Sequence, residues 1–436
     1  MKILWVKSGG LLPLDTGGKI RSYQILHELS RRHELTIALF YSAEKEEVQP
    51  ELQSQFPGVI CWAVKAPNRQ SWAGRLAYAK SFLSTQPHSV ARFCRPEMLH
   101  ELRRLVGKEK FDLIVCDFVL AAPVIPWDAA VPKILFTHNV EAAIWRRHFQ
   151  VTRNPVWKAV WWREYRTTLR MERKYARLAD HVLTVSEADR QYFCDLSAAD
   201  KVTAIPTGVD VAYFQPFFGA EEANALVFTG SMDWQPNEDG ILFFCRKILP
   251  LIRKSIPNIA LWVVGRNPSP AVRKLSQEDS AVHVTGRVDD IRPYVAKASV
   301  YIVPLRVGSG TRLKIFEAMA MAKPVVSTTV GAEGLPVSHG KDVFLEDEPA
   351  HFADRVVTLL QDKRLRENVG SAARKLVEEH YSWNRVAADC EKVFSYVMHK
   401  AAETKEPKEA GKEAQIKVDY DEHHQWNKAI SRGGEL

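Results

Sequence analysis

The 436-residue sequence has no uninterrupted run of about 18 uncharged apolar residues, the length a helix needs to cross a bilayer. That excludes a multi-span membrane protein. It has no Cys-x-x-Cys pair, and its six cysteines (Cys61, Cys94, Cys116, Cys194, Cys245 and Cys390) stand far apart with no histidine at ligand spacing. A disulfide framework and a zinc site are therefore not expected, and the pattern suits a reducing compartment. No Gly-x-Gly-x-x-Gly follows the first apolar run, so a Rossmann oxidoreductase lacks its fingerprint. No zinc-finger or helix-turn-helix signature accompanies the basic residues, so nucleic acid is not an expected partner. The opening Met1–Lys7 is too short an apolar run for a signal peptide and is interrupted by Lys7, which makes the cytoplasm the expected location. With 46% hydrophobic and 26% charged residues, the chain is neither disordered throughout nor collagen-like.

What is present is an alternation of short apolar runs and amphipathic stretches, which predicts a parallel α/β architecture. Strands are expected at Lys2–Val6, Leu35–Phe40, Leu113–Val115, Ile134–Thr137 and Val182–Val185. Glycine-rich turns at Gly9-Gly10 and Asp15–Gly18 precede a helix near Ile20–Arg32, and Ser186 is placed to cap another helix. The turn residues Ile205–Asp210 and the irregular Pro216–Ala223 mark a boundary. A second series of strands follows at Ala225–Thr229, Ala260–Val264, His283–Thr285, Val300–Val303 and Pro324–Ser327. The expectation is two Rossmann-like domains, 1–215 and 216–380, facing a cleft at the carboxyl ends of their strands. Residues 381–399 read as a further helix with apolar spacing (Val386, Cys390, Val393, Phe394, Val397), and 400–436 as a mobile tail.

The sharpest motif runs from Val307 to Val326. A strand ends at Pro304, Gly308 and Gly310 open a turn, and a helix is expected from about Arg312 to Met321. The exposed amides and positive end of such a helix attract an anion. Arg312 and Lys314 add charge suited to a diphosphate, and Glu317 offers a carboxylate to paired hydroxyls.

Together with Phe228–Trp234, Pro236-Asn237, Thr137–Glu141, Val185–Asp189, Ile205–Asp210, Val263–Gly265 and Val284–Asp290, this run resembles the retaining GT-B glycosyltransferases of family 4. The resemblance spans roughly residues 1–398, in order. It implies a GT-B fold with an acceptor-binding first domain and a nucleotide-sugar-binding second domain, with 381–399 crossing back onto the first. By resemblance Glu317 holds the donor ribose, while the partner glutamate, separated from it by seven residues, is replaced by Ser309. Backbone N–H groups of Thr311 and Arg312 would bind phosphate, with Ser309, Gly310, Lys314 and, from the first turn of the second domain, Gly230 also on the donor side. Gly286 and Val288 would lie against the nucleobase. His138 would touch the donor sugar, Glu141 would bind the acceptor or support His138, and Gly17 and Gly18 would approach the phosphates or the acceptor. His138 and Glu141 are the catalytic candidates.

The resemblance implies sugar transfer from a nucleotide-sugar to a glycan or lipid-linked acceptor, with retained configuration and with the departing phosphate taking the acceptor proton. Bacterial polysaccharide or glycolipid assembly is the expected setting. No metal or other cofactor is expected, and Asp419-Tyr420-Asp421 reads as a coincidental match in the tail. The Ser309 departure leaves a non-catalytic nucleotide-sugar-binding scaffold or sensor as the alternative.

Trp145 to Arg177 holds ten basic and two acidic residues, a net +8 equal to that of the whole chain. At helical spacing Trp157, Trp161, Tyr165 and Leu169 share one face, opposite Arg163, Arg166, Arg170, Arg173 and Arg177. Such a helix fits an anionic membrane surface, and would make the protein peripheral on the inner face of the plasma membrane. The alternative is a core-packed aromatic stripe with a solvated basic face. A second aromatic and basic patch spans Trp72–Leu83.

Overall fold

The computed structural model describes residues 1–14, 16–42, 49–64, 72, 84–88, 90, 94, 96–217, 219, 221–307 and 313–403. The motif residues Gly308, Ser309, Gly310, Thr311 and Arg312, the Trp72–Leu83 patch apart from Trp72 itself, and Asp419-Tyr420-Asp421 lie outside the described residues.

The described strands form two sheets, both parallel throughout. The first comprises β1 (Lys2–Ser8), β2 (Glu34–Ser42), β3 (Val59–Val64), β4 (Leu113–Asp117), β5 (Lys133–Phe136), β6 (His181–Thr184) and β7 (Val202–Ala204), in the order β3-β2-β1-β4-β5-β6-β7. The second comprises β8 (Ala225–Thr229), β9 (Ala260–Val264), β10 (Val282–Gly286), β11 (Val300–Val303), β12 (Val325–Ser327) and β13 (Phe344–Leu345), in the order β10-β9-β8-β11-β12-β13. Each order reverses beside its first strand, and the carboxyl-end crevice at such a reversal is where doubly wound sheets bind ligands.

Side-chain alternation builds the first core. Leu4 and Val6 of β1 join Ala38, Ile114, Cys116 and Leu135 on one face. Ile3 and Trp5 join Ile37, Val115, Ile134 and Phe136 on the other. Successive strand side chains point to opposite faces, so a sheet covered by helices on both sides needs apolar residues at every position.

Six helices position the site. They are α1 (Gly17–Ser30), α2 (Glu141–Val151), α3 (Pro155–Leu178), α4 (Glu187–Cys194), α5 (Leu313–Ala320) and α6 (Trp383–Glu403). α1 begins before the expected Ile20, so Gly17 and Gly18 form its first turn rather than the preceding loop, with Thr16 as N-cap. Ser186 caps α4 as its position suggests, its Oγ accepting from Asp189 N at 3.1 Å. Ala322, at φ 55°, and then Pro324 end the segment after α5. α6 extends past the expected end at residue 399 to Glu403 and lays Trp383, Val386, Cys390, Phe394 and Val397 into the first sheet's core.

The core-packed alternative for the aromatic stripe of α3 does not hold. Its buried stripe is Val160, Glu164, Thr167, Thr168, Met171, Glu172, Tyr175 and Ala176, whereas Trp157 is exposed and Tyr165 and Leu169 sit at the margin. Glu164, Glu172 and Thr167 on that stripe have hydrogen-bond partners, whereas the buried hydroxyl of Thr168 has none among the described residues. Arg163, which was expected on the basic solvent face, pairs with Glu164 at 2.5 Å and donates to Ser84 O.

Candidate active site

The ends of β1, β4 and β5 are adjacent in the first sheet, and three polar side chains converge there. Asp117, the last residue of β4, is fully buried. Its Oδ2 accepts from Trp5 Nε1 at 2.9 Å and pairs with Lys7 Nζ at 3.2 Å, and its Oδ1 lies 2.6 Å from His138 Nε2. Burial alone would raise the Asp117 carboxyl, but Lys7 and then His138 hold it well below the ordinary carboxylate range. An ionised Asp117 can only accept, so the short contact requires a proton on His138 Nε2. Burial pushes the imidazolium form of His138 down, against the pull of Asp117. A neutral ring with Nε2–H leaves Nδ1 as a bare acceptor, and this buried atom has no partner among the described residues.

The ring of His138 is clamped by Phe118, stacked at 4.4 Å and 4°. Phe118 itself takes φ 75°, and Lys7 Nζ lies 4.6 Å from its ring centroid. A Cβ on Gly18 would stand 3.1 Å from the Phe118 ring and 3.9 Å from His138 Nδ1, so a side chain there would press the ring that stacks on His138. These groups line a cleft of about 470 Å³ with Ser8, Gly9, Gly10, Thr16, Gly17, Lys19, Arg21, Asn139 and Thr207. Leu120 and Leu313 complete the described lining, and Leu313, the first residue of α5, lies 3.9 Å from where a Gly17 Cβ would sit. The N-termini of α1 and α5 thus meet across the cleft, one from each sheet, and both present positive dipole ends to it.

On the second-sheet side, Lys314 Nζ donates to Asn237 Oδ1 at 2.7 Å and lies 4.4 Å from the Phe228 ring centroid. Gly230, at φ 151°, permits this, because a Cβ there would fall 2.7 Å from Lys314 Nζ. Glu317 lies one turn into α5, where burial pushes its carboxyl up to about 7 against the opposing charge of Lys314. Gly286 ends β10, and its carbonyl accepts from Gly265 N at 3.2 Å. Val288 follows, packed on the second core.

His138, Gly17 and Gly18 are therefore brought into one cleft. Gly230, Lys314 and Glu317 gather on the second sheet. Glu141 is not among the described lining residues; it opens α2, half-buried, its carboxyl raised by burial and opposed by Asn139. Ser309, Gly310, Thr311 and Arg312 lie outside the described residues. Sequence reasoning missed Lys7, Asp117, Phe118 and Arg21. For Arg21 a signal exists, because Arg21, Ile25 and Leu29 share the i, i+4, i+8 stripe that packs inward. Among the described residues no cluster of three metal-ligating side chains occurs.

Two family models match consecutive parts of the chain, one described as Glycosyltransferase Family 4 over residues 16–213 and one as Glycosyl transferases group 1 over residues 223–362. An uncharacterised 44.6 kDa protein in the cps region of Klebsiella pneumoniae is 23% identical over 91% of this chain and 98% of its own length. A GDP-mannose-dependent phosphatidylinositol monomannoside mannosyltransferase of Mycobacterium tuberculosis is 28% identical over 48% of this chain and 60% of its own. The crystal structure of Anabaena HepE in complex with UDP superimposes with TM-score 0.61 at 16% identity, covering 91% of this chain and 100% of that one. The chain belongs to the group 1, family 4 glycosyltransferases and has the GT-B fold. It is a glycosyltransferase enzyme.

Proposed function

We propose that the enzyme transfers a hexosyl group, with retained configuration, from a nucleotide-sugar to a glycan or lipid-linked acceptor in bacterial polysaccharide or glycolipid assembly. The observation that carries this reading is the meeting of two helix N-termini, α1 and α5, across a cleft whose only described histidine carries a buried, bare Nδ1. A departing nucleoside diphosphate needs positive charge on its oxygens, which the α5 dipole and Lys314 supply. Glu317 would accept from the paired ribose hydroxyls. His138 Nδ1 would accept from a hydroxyl of the donor sugar and fix its orientation, while the leaving phosphate takes the acceptor proton. Gly286 and Val288 would border the base, and Glu141 would support the acceptor side. No metal is required in this scheme, since helix dipole and lysine provide the charge.

HepE was crystallised with UDP, and the mycobacterial relative is named for GDP-mannose and a phosphatidylinositol mannoside, which supports a nucleotide-sugar donor and a glycolipid acceptor. A membrane-bound acceptor also suits the α2–α3 hairpin. Residues 142–162 contain Arg146, Arg147, Arg153 and Lys158 and no carboxylate. Val151 and Val156, at the hairpin tip, are each 69% exposed, and Trp157 and Trp162 are exposed beside them. Cations around exposed apolar side chains favour an anionic bilayer surface. No described helix is long and apolar enough to cross a membrane.

The test is a thermal-shift and donor-hydrolysis screen of UDP-, GDP-, ADP- and CMP-sugars on wild type and Glu317→Ala. One nucleotide series should raise the melting temperature of the wild type and fail to do so in the variant, and the released sugar should keep the donor's anomeric configuration. An equal response of both proteins, or an inverted product, would sink this reading.

A further inference from the structure

Arg21 is a buried charge without a paired carboxylate among the described residues. It lies in the second turn of α1, is 3% exposed and lines the cleft. Its Nε has no hydrogen-bond partner, and among the described residues no carboxylate stands within ion-pair distance of the guanidinium. Burial depresses its pKa to about 9, with Asp189 and Asp117 acting only through space. A buried guanidinium is ordinarily paired, because five donors and a full charge have left water.

The surroundings add to the imbalance. The described lining holds Lys7, Lys19 and Arg21 and no carboxylate. Lys7 is committed to Asp117, and Lys19 donates to Pro13 O at 3.2 Å. The first turn of α1, Gly17 and Gly18, has no acidic residue, so its amides and dipole favour an anion beside Arg21. Lys314 and Glu317, assigned to the donor, lie on α5, which reaches this cleft through Leu313.

We propose that the first-sheet wall of the cleft is a receptor for an anionic group of the acceptor, a phosphate or a carboxylate, with Arg21 as its counter-charge and the α1 N-terminus as its cradle. The inference rests on the nucleotide-sugar reading only in assigning the anion to the acceptor; the anion site itself stands on Arg21.

The experiment titrates inorganic phosphate into the full chain by calorimetry, for wild type, Arg21→Gln and Arg21→Lys, each alone and with saturating UDP or GDP. Wild type should bind phosphate with or without nucleotide. Arg21→Gln should lose about tenfold or more in phosphate affinity while nucleotide affinity stays within about twofold, and Arg21→Lys should recover part of the loss. Melting temperature is read alongside. Removing an unpaired buried charge should leave the ligand-free Arg21→Gln as stable as wild type or more so, whereas a structural arginine would leave it less stable. Phosphate competing with nucleotide for one site would assign the anion to the donor diphosphate and overturn the proposal, as would an Arg21→Gln protein that binds phosphate normally. If neither nucleotide binds but phosphate still depends on Arg21, the donor reading fails and the anion site survives.

Discussion

Asp117 ends β4 and His138 stands two residues past the neighbouring β5, and the 2.6 Å between Nε2 and Oδ1 sets which ring nitrogen of His138 is left as a bare acceptor. The same carboxylate holds Lys7 and Trp5, so one buried group fixes a tautomer and neutralises an ammonium at once.

Replacing Asp117 with Asn should therefore strand Lys7 in the interior. Breaking a desolvated pair by removing one partner costs about 3–5 kcal/mol, readable by urea denaturation. The double variant Lys7→Met/Asp117→Asn should recover much of that stability but not the activity, because His138 remains without its anionic partner. A loss below about 1 kcal/mol in the single variant, the value of an exposed pair, would show that the three groups are solvated.

Gly230→Ala should act on the donor side. Its Cβ would collide with Lys314 Nζ and with Asn237 Nδ2, 2.6 Å away, at a φ that side chains rarely adopt. Strain and overpacking of this kind cost about 1–3 kcal/mol each, and nucleotide affinity should fall with stability because Lys314 is displaced. Unchanged nucleotide binding in a folded Gly230→Ala protein would remove Lys314 from the donor site.

Glu172 gives the fold a pH dependence. Its carboxylate, fully buried on α3, accepts from Tyr192 Oη at 2.7 Å and from Ala142 N at 3.2 Å, gripping the first turn of α2. Burial nonetheless raises it from an ordinary 4.5 to about 7. The folded state thus keeps a proton that the unfolded chain releases. The stability this group contributes is complete below pH 4.5 and is lost as the pH rises through about 7. Glu172→Gln should flatten that part of the stability curve, a swing on the order of 3 kcal/mol. Parallel curves for the two proteins across this range would show that Glu172 is ionised throughout.

For the α2–α3 hairpin, sedimentation with phosphatidylglycerol vesicles should carry the wild type down, more at low than at high salt. The triple variant Val156→Ser/Trp157→Ser/Lys158→Glu should stay in the supernatant with an unchanged melting temperature, since these three side chains are exposed. Equal binding by both proteins, or binding to purely zwitterionic vesicles at high salt, would rule out an electrostatic docking surface there.

Much of the architecture is legible in the residue order. Each strand read from its apolar run lies in one of the two sheets, and β10 is the only sheet-edge strand among them. The three that escaped, β3, β7 and β13, are all edges, where one neighbour is missing and short or mixed segments suffice. The run from Lys314 to Val326 likewise announced a helix, a stop and a strand by composition alone. The donor-side candidates Gly230, Lys314 and Glu317 could be named because they belong to local turn and helix signals.

Tertiary structure decided the rest. Lys7 stands more than a hundred positions before Asp117 and His138 in sequence, and the three meet only because β1, β4 and β5 are neighbours in the sheet order. Which face of α3 turns inward was also not readable from its tryptophans, because Glu164 and Glu172 become tolerable in the interior once Arg163, Tyr192 and the α2 amide reach them. Periodicity records what the backbone repeats locally. The cost or gain of burying a charge depends on which distant groups the sheet order sets beside it, and for Lys7, Asp117, His138 and Arg21 only the folded chain supplies that.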